Sequence, residues 1–89
     1  MPRLVKSYAE IKIGDLYEDC FYHPCYCVKI DVDGDEVSGI SLIDGSFPRC
    51  CSVEHCGIRL LSLEEAIIWK HQGPQDVEPN AIEVKWWTK

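Results

Sequence analysis

The stretch over residues 25–32 constrains the fold more than any other part of the chain, because large apolar side chains alternate in it with cysteine or charged side chains. A period of two puts one kind on one face of a β-strand. The Asp33-Gly34 pair that follows is typical of a tight two-residue hairpin turn. The sequence therefore predicts a strand over 25–32 and a second over 35–43. The alternating apolar residues are Tyr26, Val28, Ile30 and Val32.

Three more strands are predicted around this hairpin. Asp44-Gly45 is a second turn of the same kind, and it would return the chain to form a three-stranded meander. His23-Pro24 separates the hairpin from the strand before it, because Pro24 lacks an N–H and favours an extended preceding residue. The remaining predicted strands are a first over 15–21, a fourth from Ser46 and a fifth over 58–61.

A helix is predicted over residues 62–72. Ser62 and Glu65 have the spacing of a capping box, in which the two side chains satisfy each other's free backbone N–H groups. Gly73-Pro74 marks the end of the helix, because glycine suits the conformation that follows a helix and proline cannot continue it.

These elements place residues 1–73 in one domain with a mainly β fold. Five short strands, tight turns and one C-terminal helix are typical of a small SH3-like antiparallel barrel. Residues 74–89 are predicted to be a linker and a terminal extended segment, because every second residue from 82 to 86 is apolar. That segment would pack on the domain or on a partner.

Charge and hydropathy limit the partners of the chain. The net charge is −6 and the Lys and Arg residues are scattered, whereas nucleic acids are bound mainly through basic side chains. No apolar run approaches the ~20 residues that a transmembrane helix needs, and residues 1–10 do not resemble a secretory signal. We therefore expect a cytoplasmic protein that binds neither nucleic acid nor membrane.

Six cysteines are many for a chain of 89 residues. Cytoplasmic cysteines are expected to be reduced, so that they serve as small packed side chains or as ligands. They occur with two histidines in two clusters, each with a Cys-x4-Cys pair around a histidine. The clusters are Cys20, His23, Cys25 and Cys27, and then Cys50, Cys51, His55 and Cys56.

An antiparallel pairing of predicted strands 1 and 5 would bring these clusters together. It would place Cys20, at the end of strand 1, beside Cys56, at the start of strand 5, with both histidines in the adjoining loops. Tetrahedral zinc takes four such ligands. The predicted ligands are Cys20, His23, His55 and Cys56, with Cys51 or Cys25 as a substitute for one of them.

The cysteines have other interpretations as well. The tight Cys-x2-Cys spacing of zinc ribbons is absent, so packed thiols without a cofactor are the first expectation and zinc is the alternative. A disulfide needs Cα atoms within ~7 Å, and only Cys20 with Cys56 has predicted positions that allow it. A reactive thiol in a redox protein is a further interpretation.

Four stretches of the chain resemble a small bacterial family. The resemblance extends over residues 14–73, and short acidic proteins of this kind are similar to those carried by mobile gene cassettes in integrons. It implies a bacterial cytosolic origin, and it implies no activity and no site residues. The stretches are Gly14-Asp15-Leu16-Tyr17-Glu18-Asp19-Cys20, His23-Pro24-Cys25, Gly39-Ile40-Ser41-Leu42-Ile43-Asp44-Gly45-Ser46 and His55-Cys56-Gly57.

The expected function is that of a non-catalytic binding or accessory module. We do not expect an enzyme, because neighbouring Cys and His residues on a strand point to opposite faces. Trp86-Trp87 favours contact with another protein or a second copy, since tryptophan is enriched at the centres of interfaces. The alternatives are a zinc-stabilised structural domain and a cysteine-dependent redox protein.

Overall fold

Five strands and one helix make up residues 2–75, the part of the chain that the computed structural model describes. The predicted terminal segment, with the linker from residue 76 onward, lies outside the described residues. A 3-10 helix, Tyr8–Glu10, precedes the second strand. The strands and the helix are β1 (Arg3–Leu4), β2 (Leu16–Glu18), β3 (Pro24–Asp31), β4 (Glu36–Ser41), β5 (Arg59–Leu60) and α1 (Leu63–Gln72).

The strands form a single antiparallel sheet in the order β1-β5-β2-β3-β4. This arrangement confirms the mainly β class with one helix after the strands. The pairing of β2 with β5 also confirms that predicted strands 1 and 5 are antiparallel neighbours. Within residues 2–75 the sheet is open, with β1 and β4 at its edges.

The β3–β4 hairpin forms where it was predicted, but its turn is longer. Asp31 pairs with Glu36, so the loop has four residues, 32–35, and the predicted two-residue turn is wrong. The Asp31 side chain accepts a hydrogen bond of 3.0 Å from the Gly34 amide. Asp35 takes the left-handed conformation with φ 52°, which aspartate tolerates better than most residues do.

A register shift between Cys27 and Lys29 decides which side chains of β3 face the core. Before the shift, Cys25 and Cys27 are fully buried and Tyr26 is exposed. After it, Ile30 packs against the core. A bulge inserts one unpaired residue and reverses the alternation. The alternating apolar residues therefore do not form one continuous buried face.

The predicted fourth strand is reduced to a single bridge. Val37 and Cys51 exchange two backbone hydrogen bonds of 2.8 and 2.9 Å, and the Arg49 amide donates to the Gly39 carbonyl at 2.8 Å. Pro48 has no N–H to donate, so the ladder does not extend back along this segment. The bridge still holds Cys51 beside β4 with its side chain in the core.

The main core surrounds Tyr17 on one face of the sheet. The Tyr17 hydroxyl donates a hydrogen bond of 2.7 Å to the Arg49 carbonyl. Only glycine fits at position 39, because a Cβ there would lie 2.5 Å from the Tyr17 hydroxyl oxygen. The buried residues of this core are Val5, Ile11, Tyr17, Cys25, Cys27, Val37, Cys51, Val53 and Ile58.

The helix α1 begins and ends as the sequence predicts. Ser62 is its N-cap, and the capping box with Glu65 is present, with hydrogen bonds of 3.1 and 2.8 Å. Gly73 ends the helix with φ 83°. The predicted helix over 62–72 is therefore confirmed. None of the helices in residues 2–75 has the length and apolar character to cross a lipid bilayer.

Helix α1 packs at β2 on the face opposite to Tyr17, where Trp69 and Leu16 belong to a second apolar cluster. The Trp69 Nε1 donates to Glu18 Oε2 at 2.6 Å. Arg59 donates to both oxygens of the same carboxylate at 2.8 Å. A buried carboxylate needs such charged and polar partners. The contacts tie α1, β2 and β5 together at the end of the sheet where Cys20 follows β2 and Cys56 precedes β5.

Candidate functional site

Three cysteine sulfurs converge at one end of the β2–β5 pair. Glu18 and Arg59 face each other across these strands, so the turn after β2 and the turn before β5 lie at the same end. These turns carry Cys20 and Cys56, and the segment bridged to β4 supplies Cys51. The three Sγ atoms all lie within 4.8 Å of one another. We call this group the thiol cluster.

The spacing of the thiol cluster suits a soft metal ion. With a zinc–sulfur distance of ~2.3 Å, tetrahedral ligands have sulfurs ~3.8 Å apart, so the sulfurs need to approach by about 1 Å or less. Cys51 is 4% exposed and held in the core, whereas the side chains of Cys20 and Cys56 are exposed on turns and can rotate. The three cysteines could therefore hold a metal ion.

The protein environment favours ionisation of Cys56 over that of Cys20 and Cys51. Burial raises the pKa of the Cys51 thiol, and hydrogen bonding to Cys56 raises it further. Burial likewise raises the pKa of Cys20. A hydrogen bond from the backbone of Ser52, followed by one from Cys51, lowers the pKa of Cys56. A bound cation would favour the deprotonated, thiolate form of all three cysteines.

Asp19 shapes the turn that presents Cys20. One carboxylate oxygen of Asp19 accepts hydrogen bonds of 2.9 Å from the amides of Phe21 and His23. The other oxygen accepts a bond of 3.0 Å from Arg49 Nε. Because Asp19 is itself buried, the turn is anchored and Cys20 projects from it.

The loop that presents Cys56 is anchored by Asp35 of the hairpin turn. One oxygen of Asp35 accepts a 2.5 Å hydrogen bond from the Tyr8 hydroxyl. The other accepts bonds from the Ser52 hydroxyl at 2.5 Å and from His55 Nδ1 at 2.9 Å. The Ser52 side chain also accepts a bond of 2.9 Å from the His55 amide. The loop between Cys51 and Cys56 is thereby fastened to the β3–β4 turn.

These hydrogen bonds shift the pKa values of Asp35 and Tyr8. The hydrogen bonds from Ser52 and Tyr8 lower the pKa of Asp35 to about 2. Burial, together with the hydrogen bond to Asp35, raises the pKa of Tyr8 to about 12. At neutral pH the carboxylate is therefore ionised and the phenol is protonated, which is the arrangement that the hydrogen bonds require.

The structure brings two of the four predicted ligands together and leaves the two histidines outside the cluster. Cys20 and Cys56 are neighbours, and Cys51, named as a substitute, joins them. His23 is buried, with its Nδ1 2.8 Å from the Ser41 hydroxyl. Burial, with Arg49 adding to its effect, lowers the pKa of His23. His55 is exposed and turned towards Asp35.

The other three cysteines are separate from the thiol cluster. The Cys25 thiol donates to the His23 carbonyl at 3.4 Å, and the Cys27 thiol donates to the Lys29 carbonyl at 3.9 Å. Burial raises the pKa of both thiols. Cys50 is exposed and lies 3.4 Å from the Ser38 hydroxyl. Cys25, the other proposed substitute ligand, therefore serves as a core residue.

An open cavity of about 270 Å³ adjoins the cluster. Cys20 and Cys56 line it beside Leu4 and Tyr22, and Glu18 and Arg59 contribute the charged part of its wall. Two of the three sulfurs are thus accessible to small molecules, whereas Cys51 is covered.

Sequence reasoning missed the part that Asp35 plays, because it lies 20 residues from His55 and in a turn with several acidic neighbours. No spacing rule relates those positions. The sequence predicts Cys51 only as a substitute ligand, because its neighbour Cys50 has the same side chain. The bridge to Val37 is what distinguishes the two, and only the structure shows it.

Comparisons with known proteins identify no relative. No family model matches the chain, and no curated protein or solved structure matches it. The function is therefore inferred from the geometry of the thiol cluster.

Proposed function

We propose that this chain is a small, non-catalytic binding module that is stabilised by a zinc ion held by Cys20, Cys51 and Cys56. The observation that supports this is the mutual approach of the three Sγ atoms to within 4.8 Å. Two parts of the chain that are distant in sequence supply these sulfurs, the turn with Cys20 and the loop with Cys51 and Cys56. An ion bound there would link the end of β2 to the loop that joins the segment beside β4 to β5.

His55 is our proposed fourth ligand. Its ring is exposed and lies one residue from Cys56 in the chain. Its Nδ1 bonds to the Asp35 carboxylate, and such a bond favours the tautomer in which Nε2 is free to bind a metal. His23 is a poorer ligand, because it is buried against Ser41. A site closed by four protein ligands is typical of structural zinc.

A structural zinc would add stability that a small core lacks. A chain of 89 residues buries a modest share of its surface, and metal binding to the folded state alone contributes directly to folding. We propose a cytoplasmic location, where thiols stay reduced and remain able to bind zinc.

Zinc content is the first test. We expect about one zinc per chain in wild-type protein purified without an affinity tag, measured by mass spectrometry after exchange into zinc-free buffer. Cys51→Ser and Cys56→Ser should lose the metal. Cys50→Ser is the matched control, because Cys50 neighbours Cys51 in sequence and lies outside the thiol cluster. Metal-free wild-type protein, or equal zinc loss in Cys50→Ser, would overturn the proposal.

The fourth ligand can be tested with Co²⁺ in place of zinc. We expect His55→Ala to change the visible absorption of the Co²⁺ protein while the sulfur-to-metal charge-transfer bands remain. Asp35→Asn should weaken metal affinity by about 10–100-fold, as loss of an orienting carboxylate does. Spectra identical to those of the wild type in His55→Ala would exclude the histidine and leave the thiolate site in place.

We propose that the module contacts a protein partner or a second copy of itself rather than nucleic acid or membrane. Phe21, which follows Cys20 in the chain, and Phe47 are exposed apolar side chains, and the net charge of −6 opposes binding to phosphate backbones. Light scattering across a concentration series should detect a dimer if the second copy is the partner.

An SH3-like barrel is the finer fold that we propose. Two contacts favour a sheet that curls over the core at its β4 edge. They are the bridge between Val37 and Cys51 and the hydrogen bond from Tyr17 to Arg49. An experimental structure with a continuous strand beside β4 would support closure of the sheet.

A further inference from the structure

The two exposed members of the thiol cluster are placed to react with each other. Cys20 and Cys56 lie on turns at the same end of paired strands, with their sulfurs within 4.8 Å. A disulfide has a sulfur–sulfur distance of about 2.05 Å. The strands fix the relative position of the two turns, and rotation of the two exposed side chains is the motion that would close the bond.

Cys51 is a poorer partner for either thiol. It is 4% exposed, belongs to the main core and is held by two backbone bonds to Val37. Its buried position also shields it from a reagent in solution.

The cavity beside the pair admits a small, uncharged oxidant. It has a volume of about 270 Å³ and is lined by both sulfurs. Its charged lining consists of Glu18, which is paired with Arg59, and Asp19, and the whole chain carries a charge of −6. This charge disfavours anionic oxidants such as peptide disulfides that carry carboxylates. A neutral hydroperoxide meets no such repulsion.

We propose that Cys20 and Cys56 are a hydroperoxide-reactive pair that closes an intramolecular disulfide. One sulfur attacks a peroxide oxygen, the O–O bond breaks, and water or an alcohol leaves once it has taken up a proton. The second sulfur then attacks the resulting sulfenic acid, the S–O bond breaks, and hydroxide leaves as water. Two thiols are oxidised to one disulfide, and one hydroperoxide is reduced.

The reaction would also remove two of the three sulfur ligands of the proposed metal site. This consequence rests on the proposed function, whereas the thiol reaction itself does not. A disulfide sulfur has no thiolate charge and is a poor zinc ligand, so oxidation should release the ion. Reduction should restore binding.

The test uses the full chain, reduced and freed of metal, and treated with one equivalent of hydrogen peroxide. We expect two of the six thiols to be lost when counted under denaturing conditions. Non-reducing digestion with tandem mass spectrometry locates the bond. Fragmentation is needed because trypsin leaves Cys20 on one peptide with Cys25 and Cys27, and Cys56 on another with Cys50 and Cys51.

The variants decide which thiols form the bond. Cys20→Ser and Cys56→Ser should each abolish the disulfide, and Cys50→Ser should keep it. A bond through Cys51, or retention of all six thiols in the wild type, would overturn the inference. In zinc-loaded protein, a chromogenic chelator should report about one zinc released per disulfide formed. If wild-type protein binds no zinc, the metal-free experiment still decides the thiol reaction by itself.

Discussion

Cys25 and Cys27 lie inside the sheet, whereas Cys20 and Cys56 lie on turns at its end. The first pair shares β3 and donates to backbone carbonyl groups. The second pair comes from different segments and is open to solvent. The four side chains are chemically identical, so the difference in their chemistry comes from burial and neighbours. Position in the fold decides which thiols are structural and which can bind or react.

Cys51 combines features of both environments. It is buried with the main core, like Cys25, and its sulfur approaches those of Cys20 and Cys56. A ligand that is held in the core gives a metal site one sulfur of fixed position. The side chains of the two exposed cysteines can rotate to complete the site around it. The following predictions test this contrast between core and exposed thiols.

Zinc should have the largest effect on stability, and it should act through the exposed thiols. With free zinc at 100 times its Kd, we expect the free energy of unfolding of the wild type to rise by about 2.7 kcal/mol. Urea unfolding with and without the metal measures the change. Cys56→Ser should lose the increase and Cys50→Ser should keep it. An increase that survives in Cys56→Ser would place the ion elsewhere.

Cys25→Ser should lower the free energy of unfolding by about 2 kcal/mol, because it buries a hydroxyl at a fully enclosed position. Its effect should be the same with and without zinc, since Cys25 is separate from the thiol cluster. Urea unfolding of wild type and variant, each in both conditions, measures this. A loss that depends on zinc would remove the distinction between core and exposed thiols.

The rates of alkylation should separate the two groups of thiols without any substitution. Hydrogen bonds lower the pKa of Cys56, so more of it is thiolate at neutral pH, and burial raises the pKa of Cys25 and Cys27. In metal-free protein at pH 7, iodoacetamide should modify Cys56 first, with Cys25 and Cys27 protected until unfolding. Time-resolved peptide mass spectrometry gives the order, and early labelling of Cys25 would contradict the burial pattern.

In the metal-free protein, where no effect on metal affinity enters, Asp35→Asn should change stability the least, and the change should depend on pH. The pKa of Asp35 falls from 3.8 to about 2 on folding. A lowered pKa stabilises the fold above pH 4 or so, and this contribution is lost as the pH falls towards about 2. The difference in urea midpoint between wild type and variant should therefore shrink over that interval. A difference that is independent of pH would show that the carboxylate charge is unimportant.

The sequence predicted the elements whose determinants are local. The helix was placed correctly because Ser62, Glu65 and Gly73 define both of its ends within a few residues. The β3–β4 hairpin was predicted from local features as well, namely the alternation over residues 25–32 and the Asp33-Gly34 pair. Its turn length was wrong, because the side chain of Asp31 and the left-handed Asp35 stabilise a longer loop.

The thiol cluster could be predicted only in part. The approach of Cys20 to Cys56 followed from antiparallel pairing of two strands, which is a topological rule. The histidines could not be placed, because the turn at Asp19 and the contact with Asp35 direct their rings. Such contacts join residues with no fixed spacing in the chain.

The sequence by itself determined the mainly β class, the helix with its caps and the presence of two clusters of thiols. Only the tertiary structure decided that Cys51 completes the cluster, that Cys25 and Cys27 face the core, and that His55 bonds to Asp35. The physical reason is the distance along the chain over which each kind of interaction acts. Capping and turn preferences act over three or four residues, whereas the bulge in β3 and the bridge at Cys51 arise when distant strands pair.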